Sequence, residues 1–187
     1  MTVEEVAEGR RAEIFAGPPP DRRFTGDATG GERRMLLDFL GDQRATLRMK
    51  CAGLDGELAL RAVEPSTLSL LGLVRHLADV ERRWFRQVLA GREAPPRFSS
   101  PDDADGDFDG ALSGSGAVAE AWDAWHTEVA FAERFAEDAP DLDVRGTDEW
   151  RGTVSLRWVL IHMVEEYARH NGHADLLRER IDGARGM

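Results

Sequence analysis

Proline placement is the feature that most limits what this chain can fold into. Its eight prolines stand at 18–20, 65, 95–96, 101 and 140, and each long Pro-free stretch carries a helical pattern. Proline inside a helix costs about 3 kcal/mol, so this partition marks segments free to be helical. Four of them are amphipathic. The first follows Thr29-Gly-Gly-Glu32, which fits a capping box, and repeats Leu36, Leu40, Leu47, Cys51 and Leu54 at helical spacing to about residue 53. The second follows Pro65-Ser66-Thr67 and carries Leu70, Leu73, Leu77, Val80, Trp84 and Val88 before ending near Ala90-Gly91. The third runs from about Ser115 to Glu137 with Val118, Trp122, Trp125, Val129 and Phe135. The fourth runs from about Thr153 to Asp182, where Gly183 stops it. Four such helices in one domain predict an all-α fold, a four-helix bundle over residues 29–187. Residues 1–28, with Gly17-Pro-Pro-Pro20 and little periodicity, read as an extended N-terminal arm with a short helix near 3–14. Residues 92–112, rich in Pro, Asp and Gly, read as a long loop. Short alternations near 57–63 and 141–145 are too isolated to predict a sheet.

Charge narrows the function. The formal net charge is −11, and residues 100–149 hold 15 Asp and Glu against two Arg. Nucleic-acid binders carry a basic stripe, and this acidic third would repel phosphates, so no nucleic acid is expected as a partner. The acidic block itself reads as a solvated loop and helix surface. No apolar run approaches 18 residues, so no membrane span is expected, and the charged N-terminus lacks a signal-peptide core, which points to the cytoplasm. The single cysteine, Cys51, excludes an internal disulfide framework and Cys-rich zinc sites. It sits on the apolar side of its helix and reads as a buried structural thiol. One Lys against 23 Arg suggests a GC-rich bacterial genome.

The fourth helix carries the sharpest chemical signal, His162-Met-Val-Glu-Glu166-Tyr-Ala-Arg-His170-Asn-Gly-His173. With His162 at 0° on a helical wheel, Glu166 falls at about 40°, His170 at about 80° and His173 at about 20°. Val159 and Leu177 share the same arc, so these polar residues lie inside the apolar stripe. A carboxylate facing a core is costly unless paired or bound to metal. His76, at the stripe edge of the second helix, is a candidate partner. Two imidazoles and one carboxylate make a common catalytic zinc set with one position left open. On pattern alone, His76, Glu166 and His170 form either this metal site or a hydrogen-bonded core histidine beside a buried ion pair of Glu166 with Arg169 or another helix. His162 and His173 read as supporting or pocket-lining residues more than as ligands. Arg75 and Arg169 read as surface residues, with an anion-holding role as the alternative. Trp122 and Trp125 read as core or interface aromatics, and Ser66 and Ser69 lack a nucleophile-elbow context.

At these residues the chain resembles the DinB-like superfamily, which includes the mycothiol-dependent maleylpyruvate isomerases and related thiol transferases. The matching text runs from Ser66 through Leu-Val-Arg-His76 to Trp84-Phe85, and from Val159 through His162, Glu166 and His170 to Arg178. The resemblance spans about residues 30 to 183. It implies a metal role for His76, Glu166 and His170, a divalent cofactor such as zinc, and a low-molecular-weight thiol such as mycothiol or bacillithiol as co-substrate. The implied activity is a metal-dependent thiol S-transferase or isomerase acting on a small electrophile; a non-catalytic metal-binding or stress-response bundle is the alternative class. A homodimer fits either. The isomerases carry a further C-terminal domain, whereas this sequence stops shortly after its fourth helix, so maleylpyruvate is not the expected substrate.

Overall fold

A computed structural model describes residues 23–53, 56–111 and 116–185. Its long helices are α1 (Glu32–Cys51), α3 (Leu70–Glu81), α5 (Ala117–Asp138) and α6 (Leu156–Ile181). Two short helices, α2 (Gly56–Leu60) and α4 (Gly106–Asp109), lie in the connections, and α3 continues without a break into a π-helical stretch, Arg82–Leu89. The fold is all-α, a four-helix bundle in which α1 packs along α6, α3 along α5, and α3 also meets α6. The predicted stripes form its core: Leu40, Leu47, Leu73, Leu77, Trp125, Val129, Val159 and Leu177 are all buried. Leu54, Ser115 and the expected helix at 3–14 lie outside the described residues.

Several local expectations need correction. The capping box does not form. Gly31 is the N-cap of α1 and offers no side chain, while Thr29 turns back and donates its hydroxyl to Asp27 Oδ1 at 2.8 Å. The C-terminal end of α1 is closed from across the bundle, where Arg178 Nη1 donates to the carbonyls of Lys50 and Ala52 at 2.6 and 3.2 Å. A cation there satisfies orphan carbonyls and suits the helix dipole. Residues 57–60 are helical, within α2, and a small sheet does exist. Strands β1 (Arg145–Asp148) and β2 (Gly152–Ser155) form an antiparallel hairpin, with Arg145 opposite Ser155 and Asp148 opposite Gly152. Three residues assigned to the fourth helix, 153–155, therefore belong to β2. Helix α6 begins at Leu156, with Ser155 as N-cap accepting the Trp158 N–H at 3.2 Å. Two four-residue strands give too little alternation to stand out in sequence, but the hairpin is fixed by its fit against the π-helical stretch. A Cβ on Gly146 would stand 2.1 Å from the Val88 carbonyl oxygen.

The Asp- and Gly-rich loop is held by one polar face of α3. Asp79 accepts the backbone N–H groups of Arg97, Phe98 and Ser99 at 2.7, 3.0 and 3.2 Å. Arg82 Nε donates to the Pro95 carbonyl at 2.7 Å. Arg75 and His76 hold the α4 segment. These contacts fold a segment without periodicity back over α3. The acidic third is also less solvated than its composition suggests, because Asp107, Glu128 and Asp148 are buried. Glu128 is satisfied by Arg82 and Arg86 at 2.8 and 2.7 Å.

Candidate metal centre

Helices α3 and α6 bring His76, Glu166 and His170 together. One ligand atom from each lies within 4.8 Å of the others. Glu166 and His170 are one turn apart on α6, which places their side chains on one face, and Glu166 Oε2 is 3.5 Å from His170 Nε2. The His76 and His170 rings lie 4.7 Å apart, centroid to centroid. Tetrahedral zinc with bonds of about 2.0–2.2 Å separates its ligand atoms by about 3.4 Å. The donor set and its spacing therefore fit a divalent cation. Glu166 is held ionised: its pKa falls to about 2, chiefly through the hydrogen bond to His170, with Arg169 and His162 adding to it against the opposing effect of burial.

The remaining histidines flank the three. His173 Nδ1 lies 3.3 Å from His170 Nδ1, so it meets the ring edge opposite Glu166. Its pKa is lowered by burial first and by the charge of His170 and Arg169 next, which favours the uncharged ring. His162 Nε2 is 3.6 Å from Glu166 Oε1. Its ring stacks on Trp158 at 4.9 Å and meets Trp84 edge-on at 5.0 Å, so an aromatic wall stands beside the carboxylate.

The arginines do not act as free anion holders. Arg75 spends its guanidinium on backbone carbonyls of residues 106, 107 and 110. Arg169 bridges Glu165 and Glu166 at 2.7 and 3.0 Å. Ser69 is the N-cap of α3, accepting the Gly72 N–H at 3.1 Å. Cys51 is buried, and burial raises its pKa to about 12, which keeps it inert as a nucleophile. Trp125 is in the core, while Trp122 borders a separate groove of about 540 Å³ between α1, α3 and α5 that none of the three clustered residues lines.

A polar chain beside the cluster was not expected from the sequence. Buried Arg44 donates to both carboxylate oxygens of Glu81 at 2.7 and 2.8 Å. Tyr167 donates to Glu81 Oε1 at 2.9 Å and accepts from Trp125 Nε1 at 2.7 Å. The wheel argument that singles out Glu166 also places Arg44 between Leu40 and Leu47, and Glu81 between Leu77 and Trp84, on their apolar stripes. That signal could have found both.

Comparison with known proteins agrees with this architecture. The family model described as Mycothiol-S-transferase matches residues 35–183, most of the chain and all three clustered residues. The chain belongs to the mycothiol-S-transferase family. This family is DinB-like, in keeping with the bundle. Among solved structures, a conserved protein from Enterococcus faecalis is similar in fold, with a TM-score of 0.57 at 14% identity, covering 83% of this chain and 100% of the other. No curated protein matches significantly.

Proposed function

We propose that this protein is a divalent-metal-dependent S-transferase that uses mycothiol or a similar low-molecular-weight thiol. The observation that carries the reading is the convergence of His76, Glu166 and His170 from two helices in a member of this family. His76 and His170 would hold the cation through neutral imidazole nitrogens and Glu166 through its carboxylate; zinc suits this set. Such a cation lowers the pKa of a thiol that reaches it from about 8.5, so the thiol reacts as its thiolate near neutral pH. The protein's own groups set the stage for this. One carboxylate among the three donors would leave a bound divalent cation with net positive charge after coordination, which favours an incoming thiolate. Glu166 stays ionised at neutral pH and so remains a donor. In the transfer, the thiol S–H proton passes to solvent, an S–C bond forms to the electrophile, and the leaving group departs with the electrons of the bond it breaks. Addition to a conjugated double bond followed by rotation and elimination would give isomerisation by the same groups.

The non-catalytic metal-binding or stress-response reading needs a site closed by a fourth protein ligand. His173 and His162 are the candidates, but His173 meets the His170 ring at Nδ1 and not at the Nε2 that approaches Glu166, and His162 approaches Glu166 at Oε1 and not at the Oε2 beside His170. The geometry thus favours an open fourth position. A cytoplasmic location, where such thiols stay reduced, suits the proposed chemistry. Metal analysis of the purified protein, followed by conjugation assays that pair mycothiol, bacillithiol and glutathione with model electrophiles, tests the reading. About one cation per chain and chelator-sensitive turnover are expected. His170→Ala should lose most of its metal; unchanged stoichiometry in that variant would remove the ligand assignment. A metal-loaded protein that neither binds nor turns over any of these thiols would favour the binding reading.

A further inference from the structure

We infer that Asp107, on the short helix α4, is the residue that positions His76 for metal binding. The inference rests on the metal reading above. Asp107 Oδ2 lies 2.7 Å from His76 Nδ1, across 31 residues of sequence. A carboxylate offers only acceptors, so the hydrogen in this bond belongs to Nδ1. In the neutral ring the lone pair is then on Nε2, the nitrogen left for a cation shared with Glu166 and His170. A neutral imidazole can carry its one proton on either nitrogen, and the partner of one nitrogen decides what the other can ligate. Asp107 is buried, and its second oxygen accepts the Phe108 N–H at 3.0 Å. The Phe108 ring stacks on His76 at 4.3 Å with planes 22° apart. Edge and face of the His76 ring are both held by neighbouring residues of one segment.

That segment is anchored independently of the Asp107 carboxylate. Arg75 donates to the carbonyl oxygens of Gly106, Asp107 and Gly110 at 2.7, 3.1 and 2.9 Å. The turn is also too tight for larger residues, since a Cβ at Gly110 would stand 2.4 Å from the Gly106 oxygen. Because the Arg75 bonds go to the backbone, a change confined to the Asp107 side chain leaves them in place. Pinning the loop is therefore accomplished without the carboxylate, and what the carboxylate adds is the orientation and tautomer of His76.

Asp107→Asn separates the two roles. It keeps the side chain's size but can turn an N–H toward His76 Nδ1, which moves the ring proton to Nε2. The full-length protein would be titrated with zinc against a chromophoric chelator, and the His76 ring nitrogens followed by NMR in the metal-free protein. We expect the proton on Nδ1 in the wild type and on Nε2 in Asp107→Asn. Zinc affinity should fall about 10–100-fold in the variant, with partial recovery in Asp107→Glu. Wild-type zinc affinity in Asp107→Asn, or a wild-type ring protonated on Nε2, would overturn the inference even where the protein binds zinc. A wild type that binds no divalent cation would instead overturn the metal reading and this inference with it. If Asp107→Asn fails to fold, the wild-type ring tautomer still decides.

Discussion

Arg44 and Glu81 are placed where an apolar side chain would be expected, and the consequence is a stability that depends on pairing. Both are buried, and each satisfies the other with two short hydrogen bonds. Removing one partner from a buried pair leaves an uncompensated charge and costs about 3–5 kcal/mol. Glu81→Ala should therefore lower stability by about that amount in chemical denaturation. Tyr167→Phe is milder. It strands the Trp125 indole N–H, whose acceptor is the Tyr167 oxygen, and an unsatisfied buried donor costs about 1–3 kcal/mol. A loss below about 0.5 kcal/mol in both variants would mean that the chain is not a structural unit. These residues also show how far the sequence could be read. His76, Glu166 and His170 stood out because a carboxylate and imidazoles interrupt an apolar stripe at helical spacing, and the structure brings the three together. Arg44 and Glu81 interrupt stripes in the same way and were legible by the same rule. Asp107 was not, because its position depends on the path of a loop with no periodicity.

At the scale of elements, the four long helices were legible because their apolar repeats are uninterrupted by proline. The β hairpin was not, because its strands are four residues each and owe their place to tertiary contacts with the π-helical stretch. Asp148 ties the hairpin together. Its Oδ1 accepts the N–H groups of Trp150 and Arg151 at 3.2 and 2.8 Å, and its Oδ2 accepts from Arg83 at 2.6 Å. Burial works to raise its pKa, but the hydrogen bonds from Arg151, Arg83 and Trp150 outweigh it, and the pKa is lowered from the ordinary 3.8. The sign follows from linkage. A carboxyl group with a depressed folded-state pKa contributes stability above its unfolded pKa and loses it as pH falls toward the lower folded value. Asp148→Asn keeps an acceptor for the turn but sets an amide N–H against Arg83, so it should cost about 1–3 kcal/mol at pH 7. That difference should shrink as pH drops below about 4, where the wild type loses its own advantage. Parallel unfolding curves of the two proteins at pH 7 and pH 3 check this, and a difference that grows in acid would contradict it.

Across the whole molecule, the proposed metal site joins parts that the chain keeps far apart. His76 belongs to α3, Glu166 and His170 belong to α6, and the segment that holds His76 comes from the connection between α3 and α5. Helix α6 is in turn fastened to α1 by the Lys50–Asp175 ion pair and by Asn171 donating to Gln43. A cation bound by all three donors recognises the assembled bundle and not the unfolded chain, so it must raise stability by mass action. At free zinc about 100-fold above its dissociation constant the gain is about 2.7 kcal/mol. For a chain of this size each kcal/mol moves the unfolding temperature by about 2–4 °C. Zinc should therefore raise Tm by about 5–11 °C, and excess chelator should reverse the shift. His170→Ala should unfold at the same temperature with and without the metal, because one of the three donors is gone. Glu81→Ala should unfold at a lower temperature but keep the zinc-dependent increment, because its defect lies beside the cluster and not in it. If zinc leaves the wild-type Tm unchanged, or if His170→Ala retains the full shift, these three residues are not the metal-binding site.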